Sequence, residues 1–132
     1  MEKYIDFFKR DKFAGYCGIK LVECKPGHAI AQVDIEKHHL NGVNVVHGGL
    51  LFTLADFAFA AAVNAYGFVT LSVSSSISYF DKSETGIIMA EAKELSRSNK
   101  LINCDVSIKH ESGLMLANFK GVAYITKKQI TF

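Results

Sequence analysis

Apolar and polar residues alternate in "AIAQVDI", residues 29–35, the period-two pattern of a strand with one buried face. A strand is predicted over 28–35 and a partner over 17–24. Between them stands Lys25-Pro26-Gly27, which holds the only proline of the chain. Proline presets φ and glycine accepts a positive φ, so the tripeptide predicts a type II turn. A polar loop, 36–46, follows. From Gly48 the alternation gives way to an apolar run rich in Ala, Leu and Phe that continues to Gly67. The run is too long for a strand. A helix is predicted, stopped near Gly67 and buried on most of its faces.

Beyond Gly67 alternation returns. "VTLSVSSSISYF" (69–80), "IIMAEAKELSR" (87–97), "KLINCDVSIKH" (100–110) and "LMLANFKGVAYI" (114–125) read as four strands joined by short links of turn residues. In hairpin succession they predict an antiparallel meander. With a short helix at the start, the predicted class is α+β: one antiparallel sheet wrapped around one long buried helix, in a single domain over 1–132.

Composition and charge narrow the partners. A hydrophobic content of 49% over 132 residues supplies a real core. The net charge is +2, and no lysine or arginine run exceeds two, so neither nucleic acid nor an anionic membrane is expected as a partner. The N-terminal "MEKYIDFFKRDKF" is charged throughout and lacks the apolar stretch of a signal peptide. Thr53, Asp56 and Asn64 interrupt the longest apolar run, which is short for a membrane span. A cytoplasmic protein is expected. Cys17, Cys24 and Cys104 are odd in number and form no CxxC pair, so they are read as small apolar residues rather than disulfides or metal ligands.

Asp56 is the only charge between Gly48 and Gly67. Burying an unpaired carboxylate costs several kcal/mol or raises its pKa. Two readings follow: an Asp satisfied by a neighbouring hydroxyl or amide, or a general base or nucleophile whose cost is tolerated for its chemistry. His47-Gly48-Gly49 opens the same helix, where first-turn N–H groups lack internal partners. Again there are two readings: a flexible helix start capped by His47, or a donor site that two glycines leave open to a ligand carbonyl. Gly48 and Asp56 lie about 12 Å apart along a helix axis. A carbonyl donor and a base serving one carbonyl must be closer. Two antiparallel helices related by a two-fold axis would bring them together, at a homodimer interface.

Other signatures are missing: no GxSxG elbow, no phosphate loop and no dinucleotide fingerprint. His38 and His39 are expected to be solvated loop residues or helpers rather than metal ligands. Serines at 72, 74, 76 and 78 alternate, so one face of a strand is expected to carry them, either as a merely small and polar face or with one hydroxyl holding Asp56.

At these residues the sequence resembles the hotdog-fold thioesterases, in the branch of the phenylacetate-degradation protein PaaI. The family pattern runs Asn-x-x-Gly-x-x-His-Gly-Gly with Leu-x-Asp about five residues on. Here Asn41, Asn44, His47, Gly48, Gly49, Leu54 and Asp56 hold those places. Asn44 replaces the glycine, and after Gly it is Asn that best tolerates a left-handed backbone. Asp81-Lys82 stands where many relatives have Arg-Pro, so Lys82 is left to supply the basic contact. "SRSNKL" keeps Arg97 and Lys100 around a hairpin tip.

The resemblance implies hydrolysis of an aryl- or medium-chain acyl-CoA, coenzyme A being part of the substrate and no metal or redox cofactor being needed. Asp56 is implied as general base or nucleophile, the Gly48 N–H as the carbonyl donor, and Asn41 as the group orienting water or thioester. His47 is implied to support the loop and Ser72 to hydrogen-bond Asp56. Gly49, Lys82, Arg97 and Lys100 are implied on the coenzyme A side. Homodimers with a continuous sheet, often doubled to tetramers, are implied as the assembly. Phe52, Phe57 and Phe59 have two readings: a lining for the acyl pocket, or plain core, the usual place of Phe on a buried helix. A hotdog hydratase or dehydratase and a non-catalytic acyl-CoA sensor are the rival functions.

Overall fold

A computed structural model describes residues Met1–Phe132. The chain runs through α1 (Glu2–Phe8), α2 (Lys12–Tyr16), β1 (Lys20–Lys25), β2 (His28–Asp34), a 3-10 turn (Lys37–His39), α3 (Gly48–Asn64), β3 (Phe68–Tyr79), β4 (Ile87–Arg97), β5 (Leu101–His110) and β6 (Met115–Gln129). Two short helices replace the one predicted. The second takes residues up to the expected first strand, because Asp11 caps it by accepting the Ala14 N–H at 3.0 Å. Gly27 has φ +82°, as the type II turn requires.

All six strands form one antiparallel sheet in the order β1-β2-β4-β5-β6-β3. The sheet wraps α3, as predicted, but the four-strand meander does not form. β4, β5 and β6 are consecutive hairpins, whereas β3 and β4 lie far apart. β4 pairs with β2, and β3 lies at the other edge against β6. The link at 80–86 is therefore a crossing over the start of α3 and not a turn: the Val46 N–H donates to the Ser83 carbonyl at 2.9 Å.

α3 ends at Asn64, three residues before the expected glycine stop. The Asn64 amide donates to the Ala60 and Thr70 carbonyls and its oxygen accepts the Thr70 N–H at 2.8 Å. That one side chain turns the chain from helix to strand. Leu54, Ala55, Ala58, Phe59, Ala61 and Ala62 are essentially inaccessible against the sheet, with Phe59 packed on Phe119. Truncating Phe59 would cost about 3–5 kcal/mol by cavity formation. Cys24 and Cys104 are buried as expected, and burial pushes their thiols up to about 11 and about 12, while Cys17 is half-buried.

One stripe of α3 stays uncovered: Gly49, Thr53, Asp56 and Ala60, which helical spacing places in a row. No helix is long and apolar enough to cross a membrane.

Candidate active site

The start of α3 is held from both sides. The His47 N–H donates to the His39 carbonyl at 2.8 Å, and the His47 Nδ1 accepts the Gly49 N–H at 2.8 Å, so His47 is the N-cap. The Leu50 and Leu51 N–H groups both turn back to the His47 carbonyl. Gly48 is the one residue of the first turn whose N–H has no partner. A free donor at a helix start is the group that stabilises an oxyanion.

The two glycines have a reason other than ligand approach. A side-chain carbon on Gly48 would lie 3.2 Å from the Tyr79 ring, whose hydroxyl donates to the Gly48 carbonyl at 3.1 Å. One on Gly49 would lie 2.8 Å from the His47 Nδ1 and displace the cap. Both glycines make room for the protein's own side chains, and the capping His47 of the first reading is present. Nothing in the sequence singles out Tyr79, which ends a serine-rich strand.

Asn41 folds the loop before the helix. Its Oδ1 accepts the Val43 N–H at 3.0 Å and the Val45 N–H at 3.3 Å, and its backbone pairs with Val45. The oxygen is therefore committed, and the amide NH2 remains the end with hydrogen bonds to give. Asn44 has φ +62°, the only positive φ outside glycine, as expected of the residue standing in for the family glycine.

Asp56 lies half-buried on the open stripe and makes no side-chain hydrogen bond or ion pair within the protomer. The neighbouring hydroxyl or amide of the first reading does not exist here. Burial, then the negative charge of Asp11, push its carboxyl above the ordinary aspartate value. A raised pKa makes the ionised form a stronger base.

Ser72 does not reach Asp56 of its own chain; its Oγ lies 3.1 Å from that of Ser75. A bulge between Ser72 and Ser74 shifts the register, so the four serines do not share a face. Ser72 pairs with the buried Ala123 and Ser75 with Gly121, on the helix side of the sheet. Ser74, Ser76 and Ser78 pair with Val122, Lys120 and Asn118 on the other side.

The basic residues divide between two places. Lys82 lines a cleft of about 180 Å³ with Gly48, Leu51 and Tyr79. Arg97 lines another, of about 400 Å³, with Val63 and Tyr66 at the far end of α3, and stacks 4.1 Å from the Tyr66 ring. Lys100 is exposed beside it on the hairpin tip. Roughly 22 Å of helix separates the two groups in one chain.

His39 corrects the reading of a solvated pair. It is buried, its Nδ1 accepts the Glu36 N–H at 2.9 Å, and its Nε2 donates to the Cys17 carbonyl at 2.8 Å. Glu36, His38 and His39 cluster within metal-ligand reach, but both His39 nitrogens are already taken. Phe52, Phe57 and Phe59 belong to the core: Phe52 and Phe59 pack on Phe119, and Phe57 on Phe8.

A sheet wrapped on one helix, with a free helix-start donor and an unpaired carboxylate two turns on, defines the class. Residues 43–117 match the model of the Thioesterase superfamily, and the chain belongs to that family. As a member it is a thioester hydrolase. It is 36% identical over 126 residues to a protein of Archaeoglobus fulgidus named as a candidate esterase, spanning 94% of this chain and 82% of that one. It is 26% identical over 118 residues to the acyl-coenzyme A thioesterase PaaI of Escherichia coli, spanning 89% of this chain and 84% of PaaI. The solved structure of E. coli PaaI superposes with a TM-score of 0.91 at 27% identity, covering 96% of this chain and 92% of that one. A Streptococcus pneumoniae protein described as a hypothetical thioesterase and solved with coenzyme A shares the fold, with a TM-score of 0.86 at 20% identity over 96% and 99% of the two chains.

Proposed function

We propose that this chain hydrolyses acyl-CoA thioesters, of aryl or medium-chain acyl groups, at a site shared by two copies of itself. The observation that carries the reading is the pairing of two unspent groups on one helix: the Gly48 N–H and the half-buried Asp56 carboxylate. The N–H polarises the thioester carbonyl. Asp56 either takes a proton from water as water attacks or attacks the carbonyl itself. When water attacks, the C–S bond breaks, the proton taken by Asp56 passes to the departing coenzyme A sulfur, and the free acid remains. When Asp56 attacks, coenzyme A leaves as a thiolate that solvent protonates, and water then hydrolyses the acyl-aspartyl anhydride to the free acid and the restored carboxylate. Water is the only co-reactant, so no metal or redox group is required.

The axial spacing of roughly 12 Å between Gly48 and Asp56 favours a reading in which they serve one carbonyl from different copies. β3 supports that assembly. It is an edge strand with no partner on its outer side, and Leu71 and Val73 are 57% and 60% exposed there. Such an edge needs covering. A two-fold pairing along β3 lays the two α3 helices antiparallel, with Ser72 on the helix side of the joined sheet. Asp56 of one copy then meets Gly48 of the other, and Ser72 has Asp56 to hydrogen-bond across the interface. The Asn41 amide and His47 hold the loop around the thioester. The same antiparallel arrangement brings Lys82 of one copy toward Arg97 and Lys100 of the other, a basic rim for coenzyme A phosphates. Coenzyme A in the S. pneumoniae structure and the acyl-CoA activity in the name of the E. coli relative favour this substrate class.

The test is thiol release from a panel of acyl-CoA esters by the parent and by Asp56→Asn. The parent should turn over at least one ester, and the nearly isosteric variant should lose most of that rate. Parental turnover by Asp56→Asn would remove Asp56 from the mechanism. Binding of acyl-CoA by the parent without thiol release would point to a sensor.

A further inference from the structure

Hydrolysis of acyl-CoA, on which the following inference rests, leaves open what selects the acyl group. A cavity of about 390 Å³ lies between α2 and the start of α3. Phe13 and Tyr16 line it on one side, and His47, Gly49 and Thr53 on the other. Gly49, Thr53 and Asp56 are spaced i, i+4 and i+7, so the cavity opens on the stripe that carries the carboxylate. α2 packs against α3, and the negative charge of its cap, Asp11, acts on Asp56.

Phe13 and Tyr16 are 64% and 86% exposed, unlike the phenylalanines of α3, which serve the core. Three residues apart on a helix, they share a face. Exposed aromatic rings grouped beside a reactive group mark an interaction surface of the protomer. His38 and His39 line the same cavity with ring centroids 4.2 Å apart, so its walls are largely flat rings. The volume falls in the range of small-ligand sites. α2 also stands outside the span matched by the family model, which begins at residue 43.

We propose that Phe13 and Tyr16 are specificity-determining residues, forming the wall against which the acyl group of the thioester lies and favouring a flat aromatic group over a flexible chain of equal carbon count. Gly48 fixes the carbonyl, and the cavity begins one residue on, at Gly49. A ring stacks on ring faces at offset or edge geometry. A straight chain gains less there and loses rotamer freedom on being held.

The experiment compares kcat/KM for phenylacetyl-CoA and octanoyl-CoA, whose acyl groups have equal carbon counts, in the parent, in Phe13→Ala/Tyr16→Ala and in Phe13→Tyr/Tyr16→Phe. The parent should favour the aryl ester. The ratio should fall about tenfold when the rings are removed, the order that lost apolar pocket contacts give, and persist when rings are exchanged for rings. An unchanged ratio in the alanine variant overturns the proposal. So does an equal loss on both esters with a change in oligomeric mass, because the rings would then cover a second copy. Calorimetric binding of both esters to Asp56→Asn separates the two layers. Aryl preference in binding with no thiol release by the parent defeats hydrolysis and keeps the ring wall; no preference in binding defeats the wall alone.

Discussion

Replacing Gly48 by alanine and, separately, by proline isolates the backbone N–H from everything else that Gly48 does. Each adds a carbon 3.2 Å from the Tyr79 ring, a contact relieved by a shift of the exposed tyrosine. Only proline removes the N–H. Gly48 is the first residue of α3, where proline has no helical hydrogen bond to lose. The residue before a proline must be extended, and His47 already has φ −63° and ψ 134°. Alanine gains at most about 1 kcal/mol of helix propensity over glycine. Both variants should therefore unfold within about 1–2 kcal/mol of the parent. Their rates should diverge. Loss of one oxyanion donor costs about 10²–10³ in kcat, or ~2.7–4 kcal/mol. Gly48→Pro should show that loss, and Gly48→Ala should stay within about tenfold of the parent. The assay is thiol release at saturating acyl-CoA, with thermal melts to confirm folding. A folded Gly48→Pro at parental kcat refutes donation by this N–H. Equal losses in both variants would move the cause to the Tyr79 contact.

Asp56→Asn carries a pH signature in stability. The folded-state pKa lies above the ordinary aspartate value, so the ionised form opposes folding. That penalty is absent below the unfolded pKa, grows as pH rises toward the folded pKa and is constant above it, at about 1.4 kcal/mol for each pH unit that separates the folded and unfolded values. The variant should melt above the parent at neutral pH, and the gap should close on acidification through the carboxylate range; a gap that widens there has the wrong sign. At the hairpin tip, Lys100→Glu should raise KM several-fold with kcat nearly unchanged, because phosphate contacts far from the reacting carbon are uniform binding. It is a cleaner probe than Arg97, which also stacks on Tyr66 and lies 3.7 Å from Glu94. Depressed kcat at constant KM would contradict the role.

Local pattern carried much of this fold because most of its signals are local. Alternation located the strands, the apolar run located α3, and the left-handed Asn44 and the Pro26-Gly27 turn were legible from backbone preference alone. Strand pairing was not. "SETG" looks like a hairpin link, and nothing near it says that β3 must cross to β6, a choice made by packing on α3 over long range. The bulge at Ser72 is likewise a property of two strands, and it inverts the face that simple alternation assigns. The pattern Asn41, His47, Gly48, Asp56 falls on α3 and the loop before it, but residue spacing does not say what each side chain touches there. Asn41 spends its oxygen on its own loop, and Gly49 is small because His47 folds over it. Phe13 ends a segment that reads as charged, and Tyr16 stands just before the predicted first strand, so neither draws notice in the sequence. Their exposure is visible only once α2 is seen to lie beside the stripe.

The shared site is tested most directly by mixing two defective chains, one Asp56→Asn and one Gly48→Pro, each nearly inactive alone. If Asp56 of one copy serves Gly48 of the other, a mixed dimer has one site with both lesions and one with neither. Random exchange makes about half the dimers mixed, so thiol release after co-refolding should recover to roughly a quarter of the parental rate. Mass-tagged chains report the exchange. Verified exchange with no recovery would mean that each site lies within one chain, and would contradict the assembly on which the mechanism stands.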